Sequence, residues 1–237
     1  MRKTVLVSGS AQGLGINIVR EHMKLGDRVF ALDWKHTEEL KSLEEHTPLL
    51  VTYVKADVGS TEEVQAAMDL IAAQTDHLDV IYNNAAIYEI PDEHKGLLDY
   101  DIDSIQKKIN INAIGPMRVT RAALERNLLG NGSVILNTSS EAASLAQPMV
   151  VRSQESGYCM SKAALNRAMQ IIQNDLAGMG VRILLCHPGW MRTEMGGPDA
   201  TDDPAVTARN YIKLVSEEKA PSVDAMYQWH DGTPIPW

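Results

Sequence analysis

The strongest constraint on the fold is the alternation of short apolar runs with longer stretches of helical periodicity along the 237 residues. The runs are apolar on both faces, as is typical of parallel strands buried between helices. The predicted strands are residues 4–8, 28–33, 49–55, 80–83, 133–137 and 182–187, and the predicted helices are 14–25, 61–75, 103–129 and 156–179. This order predicts an α/β fold in which one doubly wound, Rossmann-type parallel sheet has helices on both faces.

Composition and charge exclude several classes of protein. Hydrophobic residues make up 44% of the chain and charged residues 22%, which is ordinary for a globular protein. No apolar run approaches the roughly 20 residues needed to span a bilayer, and the first apolar run is too short for a secretory signal. A net charge of −9 argues against a nucleic-acid-binding surface. We therefore expect a cytoplasmic protein, with residues 1–237 forming a single domain and neither membrane nor nucleic acid as a partner.

The two cysteines, Cys159 and Cys186, are too few for a disulfide framework in a chain of this length. Neither has a second Cys or a His at the spacing of metal ligands. Two unpaired thiols and no metal site are expected, with a redox pair as the alternative.

A glycine-rich turn with the spacing G-x-x-x-G-x-G, formed by Gly9, Gly13 and Gly15, joins the first strand to the first helix. Glycines allow the backbone to approach a pyrophosphate closely, and the helix N-terminus offers unpaired N–H groups and a partial positive charge. The turn therefore predicts a dinucleotide site, although an ordinary Gly-rich turn has the same composition.

Asp33 ends the second predicted strand. A carboxylate at that place accepts hydrogen bonds from the adenosine ribose hydroxyls and repels a 2′-phosphate. The glycine turn also contains no Arg or Lys to hold such a phosphate. NAD(H) is therefore the preferred cofactor, and the nearby Lys35 keeps NADP(H) as the alternative.

Tyr158 and Lys162 lie four residues apart on one face of a predicted helix. A neighbouring ammonium lowers the pKa of a phenol, which then exchanges protons with an alcohol or carbonyl oxygen. The spacing favours this acid/base pair, although two surface residues on a helix have the same pattern.

In their order along the chain, these motifs resemble the short-chain dehydrogenase/reductase family from Ser8 to about Thr193. Residues 158–166, 188–197 and 236–237 are most similar to its C-factor and carbonyl-reductase-like subgroup. The resemblance implies a hydride transfer between NAD(H) and a small-molecule alcohol/carbonyl substrate. It also implies assembly into a homodimer or homotetramer.

The resemblance assigns catalytic roles to four residues. Tyr158 would be the general acid/base, and Lys162 would tune it and bind the nicotinamide ribose. Ser140 would hydrogen-bond the substrate oxygen, with its neighbour Ser139 as the weaker candidate. Asn112 would kink its helix and support a water-linked proton relay to the lysine.

The resemblance also assigns cofactor contacts along the carboxyl ends of the strands. Asp57 would bind the adenine amino group, and the segment near residues 188–193 would contact the carboxamide. Ala86 replaces a glycine that is usual in the family. The full predicted set is Ser8, Gly9, Gln12, Gly13, Leu14, Gly15, Asp33, Trp34, Asp57, Val58, Asn84, Ala85, Ala86, Tyr158, Lys162, Pro188, Gly189 and Thr193.

The substrate is not identified by the sequence. Ser140 and Tyr158 lie further apart than is usual for the family, which suggests extra residues at the pocket mouth. The predicted substrate loops are residues 88–101, 141–157 and 190–204. The alternatives are an NADP-dependent carbonyl reductase and a non-catalytic dinucleotide sensor on the same fold. A sugar-nucleotide epimerase or dehydratase is disfavoured, because the C-terminal region leaves little room for its substrate domain.

Overall fold

Seven parallel strands form one sheet with the order β3-β2-β1-β4-β5-β6-β7. The computed structural model describes residues 2–88, 96–146, 155–217 and 226–237. The strands are β1 Thr4–Ser8, β2 Arg28–Asp33, β3 Val51–Lys55, β4 Val80–Asn83, β5 Val134–Thr138, β6 Arg182–His187 and β7 Tyr227–Trp229. The α-helices are α1 Gly13–Lys24, α2 Glu38–His46, α3 Thr61–Ala72, α4 Ser104–Ile109, α5 Gly115–Glu125, α6 Ser156–Ala177 and α7 Pro204–Ser216.

Helices cover both faces of the sheet, as the sequence pattern predicts. Successive strand side chains point to opposite faces, so Val5 packs with α1 and α7 whereas Leu6 packs with α3, α5 and α6. Each face therefore has its own apolar core. The predicted Rossmann-type, doubly wound fold is confirmed.

The six predicted strands are all present, with β3 and β5 each shifted slightly at their ends. Among the described residues, two α-helices and one strand were not predicted. Helix α2 buries only Leu40, so it lacks an apolar stripe, and β7 has just three residues. Helix α7 begins with Asp203 as its N-cap and Pro204 in its first turn, a recognisable start signal that the sequence analysis did not use.

The predicted helix over residues 103–129 is present from Ser104 to Glu125, as two α-helices rather than one. A π-helical turn, Asn110–Ile114, separates α4 from α5. Pro116 has no N–H to donate to the carbonyl of Asn112, so the regular α-helical hydrogen-bond pattern cannot continue through this point.

Both cysteines are free thiols, as expected. None of the helices in the described ranges is long and apolar enough to cross a bilayer. Among the described residues, no three His, Cys, Asp or Glu side chains are grouped so as to hold a metal ion.

A buried polar chain links α1 to the sheet. His22 is fully buried, and its Nδ1 lies 2.7 Å from Oδ2 of Asp27. Its Nε2 lies 2.9 Å from the hydroxyl of Tyr82, and the other Asp27 oxygen accepts from the Lys3 amide. Burial lowers the pKa of His22, and the hydrogen bond and charge of Asp27 oppose this only in part. The folded state therefore favours a neutral imidazole.

We predict that the free energy of unfolding decreases as the pH falls below about 6.5. The unfolded chain binds a proton at His22 more readily than the folded chain does. Each unit by which the pH falls therefore lowers the free energy of unfolding by at most about 1.4 kcal/mol through this group. Chemical denaturation at pH 5 to 8 measures the slope, to which His187 adds because burial lowers its pKa to about 4.

In His22→Gln the slope becomes smaller, and stability at pH 8 falls by about 1–3 kcal/mol because Asp27 and Tyr82 lose a partner. His46→Gln, at an exposed position, is the matched control and keeps the wild-type slope. An unchanged slope in His22→Gln would contradict the prediction.

Candidate active site

The glycine turn lies where the order of the strands reverses. β1 ends at Ser8, and its neighbours β2 and β4 continue the chain in opposite directions across the sheet. In an open parallel sheet, the crevice beyond the carboxyl ends of the strands at such a reversal is the usual ligand site. The predicted dinucleotide motif is therefore at the expected place.

Close packing of the backbone explains two of the three predicted glycines. A Cβ added to Gly15 would lie 1.9 Å from the carbonyl oxygen of Gly9, and one on Gly9 would lie 2.7 Å from Cα of Ala85. Gly13 has a φ of +57°, in the left-handed region, where it begins helix α1. No side chain caps the helix, so its first N–H groups face the turn and suit an anion such as a pyrophosphate.

The hydroxyl of Ser8 connects the ends of β1 and β4. It accepts from the amides of Asn84 and Ala85 at 3.1 and 3.2 Å and donates to the carbonyl of Tyr82 at 3.3 Å. The side-chain nitrogen of Asn84, Nδ2, donates to the carbonyl of Gly9 at 3.0 Å. These bonds hold the turn after β1 to the segment after β4, in which Ala86 is the next residue along the chain.

At the other end of the predicted site, Asp33 is buried and accepts backbone N–H groups with both oxygens. Ala11 donates to Oδ2 and Lys35 donates to Oδ1, each at 2.9 Å. The Lys35 ammonium lies 4.5 Å from the centroid of the exposed Trp34 ring. A carboxylate and a lysine are therefore both close to where an adenosine ribose would lie.

Asp57 is exposed and accepts the Gly59 amide at 2.7 Å, which leaves a carboxylate at the surface beside β3. Its neighbour Val58 is buried against Gly115, where a Cβ would lie 3.0 Å from the valine Cγ2. In this structure Val58 serves to pack α5.

The segment after β6 lies over the glycine turn. The Cγ2 of Thr193 is 3.4 Å from the Cβ position of Gly13, and Gln12 donates to Glu194 at 2.9 Å. Gly189 has a φ of +87°, and a Cβ there would lie 2.2 Å from Oδ2 of Asp202. The structure thus brings the predicted residues Gln12, Leu14, Pro188, Gly189 and Thr193 to one region, with Leu14 and Pro188 buried below it.

Three of the predicted catalytic residues come together at the end of β5. Ser140 lies near enough to Tyr158 to lower the pKa of its phenol. The Lys162 ammonium is buried, lies 5.7 Å from the centroid of the Tyr158 ring and donates to the carbonyl of Thr138 at 2.7 Å. Ser139 instead donates to Asn166 at 2.6 Å, so the geometry favours Ser140 over its neighbour.

Burial dominates the electrostatics of this pair. It raises the pKa of Tyr158 to about 12, against a smaller lowering by the Ser140 hydrogen bond. Burial also lowers the pKa of Lys162 to about 7. The expected lowering of the phenol pKa by its lysine neighbour is thus wrong for the free protein, because low polarity disfavours both the phenolate and the ammonium.

Asn112 is fully buried in the π-helical turn and holds the segment that follows β4. Its Oδ1 accepts the Ile87 amide at 2.8 Å, and its Nδ2 donates to the Ile87 carbonyl at 2.9 Å and to the Ser161 hydroxyl at 3.0 Å. The π-helical turn thus lies where the kink was predicted. The Asn112 side chain bonds to Ile87 and Ser161, beside the helix that holds Tyr158 and Lys162.

Sequence reasoning missed the residues that support these side chains. The Thr138 carbonyl, a backbone group, has no sequence signal. Tyr227 in β7 donates to the Ser140 carbonyl at 2.5 Å, across 87 residues of sequence. Of the predicted substrate loops, residues 89–95 and 147–154 lie outside the described residues.

A family model described as short chain dehydrogenase matches residues 3–204 of the chain. C-signal of Myxococcus xanthus is 34% identical over 166 residues, which cover 69% of this chain and 95% of that protein. The 1-hydroxy-2-glutathionyl-2-methyl-3-butene dehydrogenase of Rhodococcus sp. (strain AD45) is 29% identical over 242 residues, which cover 99% of each chain.

The chain is also similar to a solved structure. A short chain dehydrogenase from Burkholderia cenocepacia J2315, in complex with NADP, superposes with a TM-score of 0.71 at 26% identity. The match covers 97% of this chain and 86% of that one.

We predict that Gly15→Ala destabilises the protein and weakens dinucleotide binding at least about 10-fold. The new methyl group would clash with the Gly9 carbonyl, and overpacking of this kind costs about 1–3 kcal/mol. NADH fluorescence titration and thermal unfolding measure the two effects. Gly130→Ala is the matched control, because nothing lies within 4 Å of its Cβ position. Equal behaviour of the two variants would refute the steric argument.

Proposed function

The chain is an oxidoreductase of the short-chain dehydrogenase family, as its motifs predicted, and we propose that it transfers a hydride between NAD(H) and a small-molecule alcohol/carbonyl substrate. In this proposal Tyr158 is the general acid/base. The buried Lys162 ammonium, 5.7 Å from the centroid of the Tyr158 ring and held by the Thr138 carbonyl, is the observation that supports it most directly.

The glycine turn fits a dinucleotide, because the packing at Gly9 and Gly15 leaves no room for side chains and the uncapped end of α1 suits a pyrophosphate. The residues that would hold the cofactor are the eighteen predicted from the sequence. When bound, its nicotinamide donates or accepts the hydride, and the protein supplies orientation and electrostatics.

Tyr158 moves the proton. With a pKa near 12, the phenol is protonated at neutral pH and can donate its proton to a carbonyl oxygen. The Ser140 hydroxyl would hydrogen-bond the same oxygen and orient it. Alcohol oxidation needs the phenolate, so its rate should increase with pH. Lys162, whose pKa is near 7, would return a proton toward Tyr158, and Asn112 would support that relay.

The substrate pocket is proposed to lie among residues 88–101, 141–157 and 190–204, within a single domain that also binds the cofactor. The Tyr88 ring packs edge-on against Tyr158 with centroids 4.7 Å apart, so an apolar wall adjoins the phenol. This arrangement suits a carbonyl with an apolar substituent.

NAD(H) is proposed over NADP(H) because the Asp33 carboxylate ends β2 and would repel a 2′-phosphate. Two observations support NADP(H) as the second candidate. Lys35 lies beside this site, and the Burkholderia cenocepacia relative was solved with NADP.

Assembly into a homodimer or homotetramer and a cytoplasmic location complete the proposal. Apolar side chains on α5 and α6 are partly exposed, including Met117 at 38% and Met160 at 51%. A second copy of the chain would cover them.

We expect Tyr158→Phe to lower kcat at least about 1,000-fold, which in practice abolishes turnover, while the Kd for NADH changes little. The variant keeps the ring but removes the only hydroxyl that would transfer the proton. Steady-state assays with NADH and NADPH against aldehydes, ketones and quinones, together with fluorescence titration, separate the two effects. Retention of a sizeable part of the wild-type kcat would refute the assignment, and dinucleotide binding without any turnover by the wild type would indicate a sensor.

Asp33→Ala should relax the cofactor preference. Removing the carboxylate abolishes repulsion of a 2′-phosphate and frees the Ala11 and Lys35 amides, so the ratio of the Kd for NADPH to that for NADH should fall at least about 10-fold. The exposed Asp57→Ala, at the edge of the adenine site, is the control and should weaken both cofactors alike. A wild type that binds NADPH more tightly would favour the second candidate.

A further inference from the structure

We propose that Tyr227 is a positioning residue for Ser140: its hydroxyl fixes the backbone of the serine and thereby the serine hydroxyl that contacts Tyr158. This inference rests on the proposed function, in which Ser140 orients the substrate oxygen. It adds the strand β7 to β5 and α6, the elements that hold Ser140 and Tyr158.

The contact is short and fully buried. Tyr227 has no exposed surface, and its hydroxyl donates to the Ser140 carbonyl at 2.5 Å. The Ala143 amide donates to the same oxygen at 2.9 Å. A carbonyl oxygen accepts two hydrogen bonds, so both acceptor positions are filled and the plane of this peptide group is fixed from two directions.

The orientation of this peptide group determines where the serine side chain points. Ser140 has an extended backbone, with φ −157° and ψ 147°, immediately before a single 3₁₀ turn. Its Oγ accepts the Ala142 amide at 3.2 Å and lies near enough to Tyr158 to lower the pKa of the phenol. A tilt of the peptide would therefore move Oγ relative to both partners. Misplacement of a reacting group by about 1 Å can cost about 100-fold in rate.

The segment after Ser140 is also attached to the C-terminal strand region. The Ser144 hydroxyl donates to the Pro236 carbonyl at 2.6 Å, and the Ala146 amide donates to the Trp237 carbonyl at 3.0 Å. The Trp237 ring packs on Tyr227 with centroids 5.4 Å apart. Three of the hydrogen bonds among the described residues thus hold residues 140–146 to the C-terminal segment 227–237, and of these three only that of Tyr227 reaches Ser140 itself.

Tyr227 does not act as an acid or base in this proposal. Burial raises the pKa of its phenol well above the ordinary value, and no substrate can reach a fully buried hydroxyl. Its influence on the reaction must therefore pass through Ser140. The hydrogen bond from Ser140 lowers the pKa of Tyr158, so weakening that bond should raise the pKa of the catalytic phenol.

The test compares Tyr227→Phe with Tyr82→Phe. Tyr82 is equally buried, and its hydroxyl bonds to His22 on the opposite face of the sheet, so this control also loses one buried phenol hydrogen bond. We expect Tyr227→Phe to lower kcat about 10-fold with KM within about twofold. In alcohol oxidation, the ascending limb of its pH–kcat profile should also move to higher pH. Tyr82→Phe should lower thermal stability without moving that limb.

A wild-type kcat in Tyr227→Phe would overturn the proposal, as would a lower kcat with an unmoved limb. If the wild type has no oxidoreductase activity with either cofactor, the proposed function fails, and the positioning role is then judged from a crystal structure of Tyr227→Phe. Loss of the contact between the Ser140 and Tyr158 hydroxyls supports it, and an unchanged contact overturns it.

Discussion

The close approach of backbone to backbone at the end of β1 is the constraint on which the candidate site depends. Gly15 and Gly9 touch where any side chain would collide, and the Ser8 hydroxyl ties this turn to the residues after β4. Because β1 and β4 meet at the reversal of strand order, the same contacts align the first helix with the crevice beyond the strands. The proposed dinucleotide site follows from this packing.

Desolvation, more than the charge of the neighbouring lysine, sets the protonation of the proposed catalytic pair. Tyr158 and Lys162 are brought together by helical spacing, but Lys162 is buried and Tyr158 is partly so, and their pKa values move to about 12 and about 7. A neutral phenol beside a readily deprotonated amine suits proton donation to a carbonyl. The Thr138 carbonyl accepts a hydrogen bond from the lysine, but burial outweighs this contact and lowers the pKa of the ammonium.

The site is assembled from elements that are distant in sequence. Ser140 follows β5, Tyr158 lies in α6, and Tyr227 belongs to the edge strand β7. Parallel strands with right-handed crossovers bring their carboxyl ends to one edge, which explains how these residues meet. The three-residue length of β7 conceals its contribution, because so short a run has no periodicity of its own.

Local patterns in the sequence were enough to determine six of the seven described strands, most of the helices, the glycine turn and the helical spacing of Tyr158 and Lys162. Strand and helix periods and glycine sterics act over a few residues. The resemblance to a family, and not a local pattern, indicated Asn112 as the site of a kink. Only the tertiary structure decided that Ser139 bonds to Asn166, that Tyr227 donates to the Ser140 carbonyl, and that burial raises the pKa of Tyr158. Those properties depend on packing between distant segments and on exclusion of water, which no local pattern encodes.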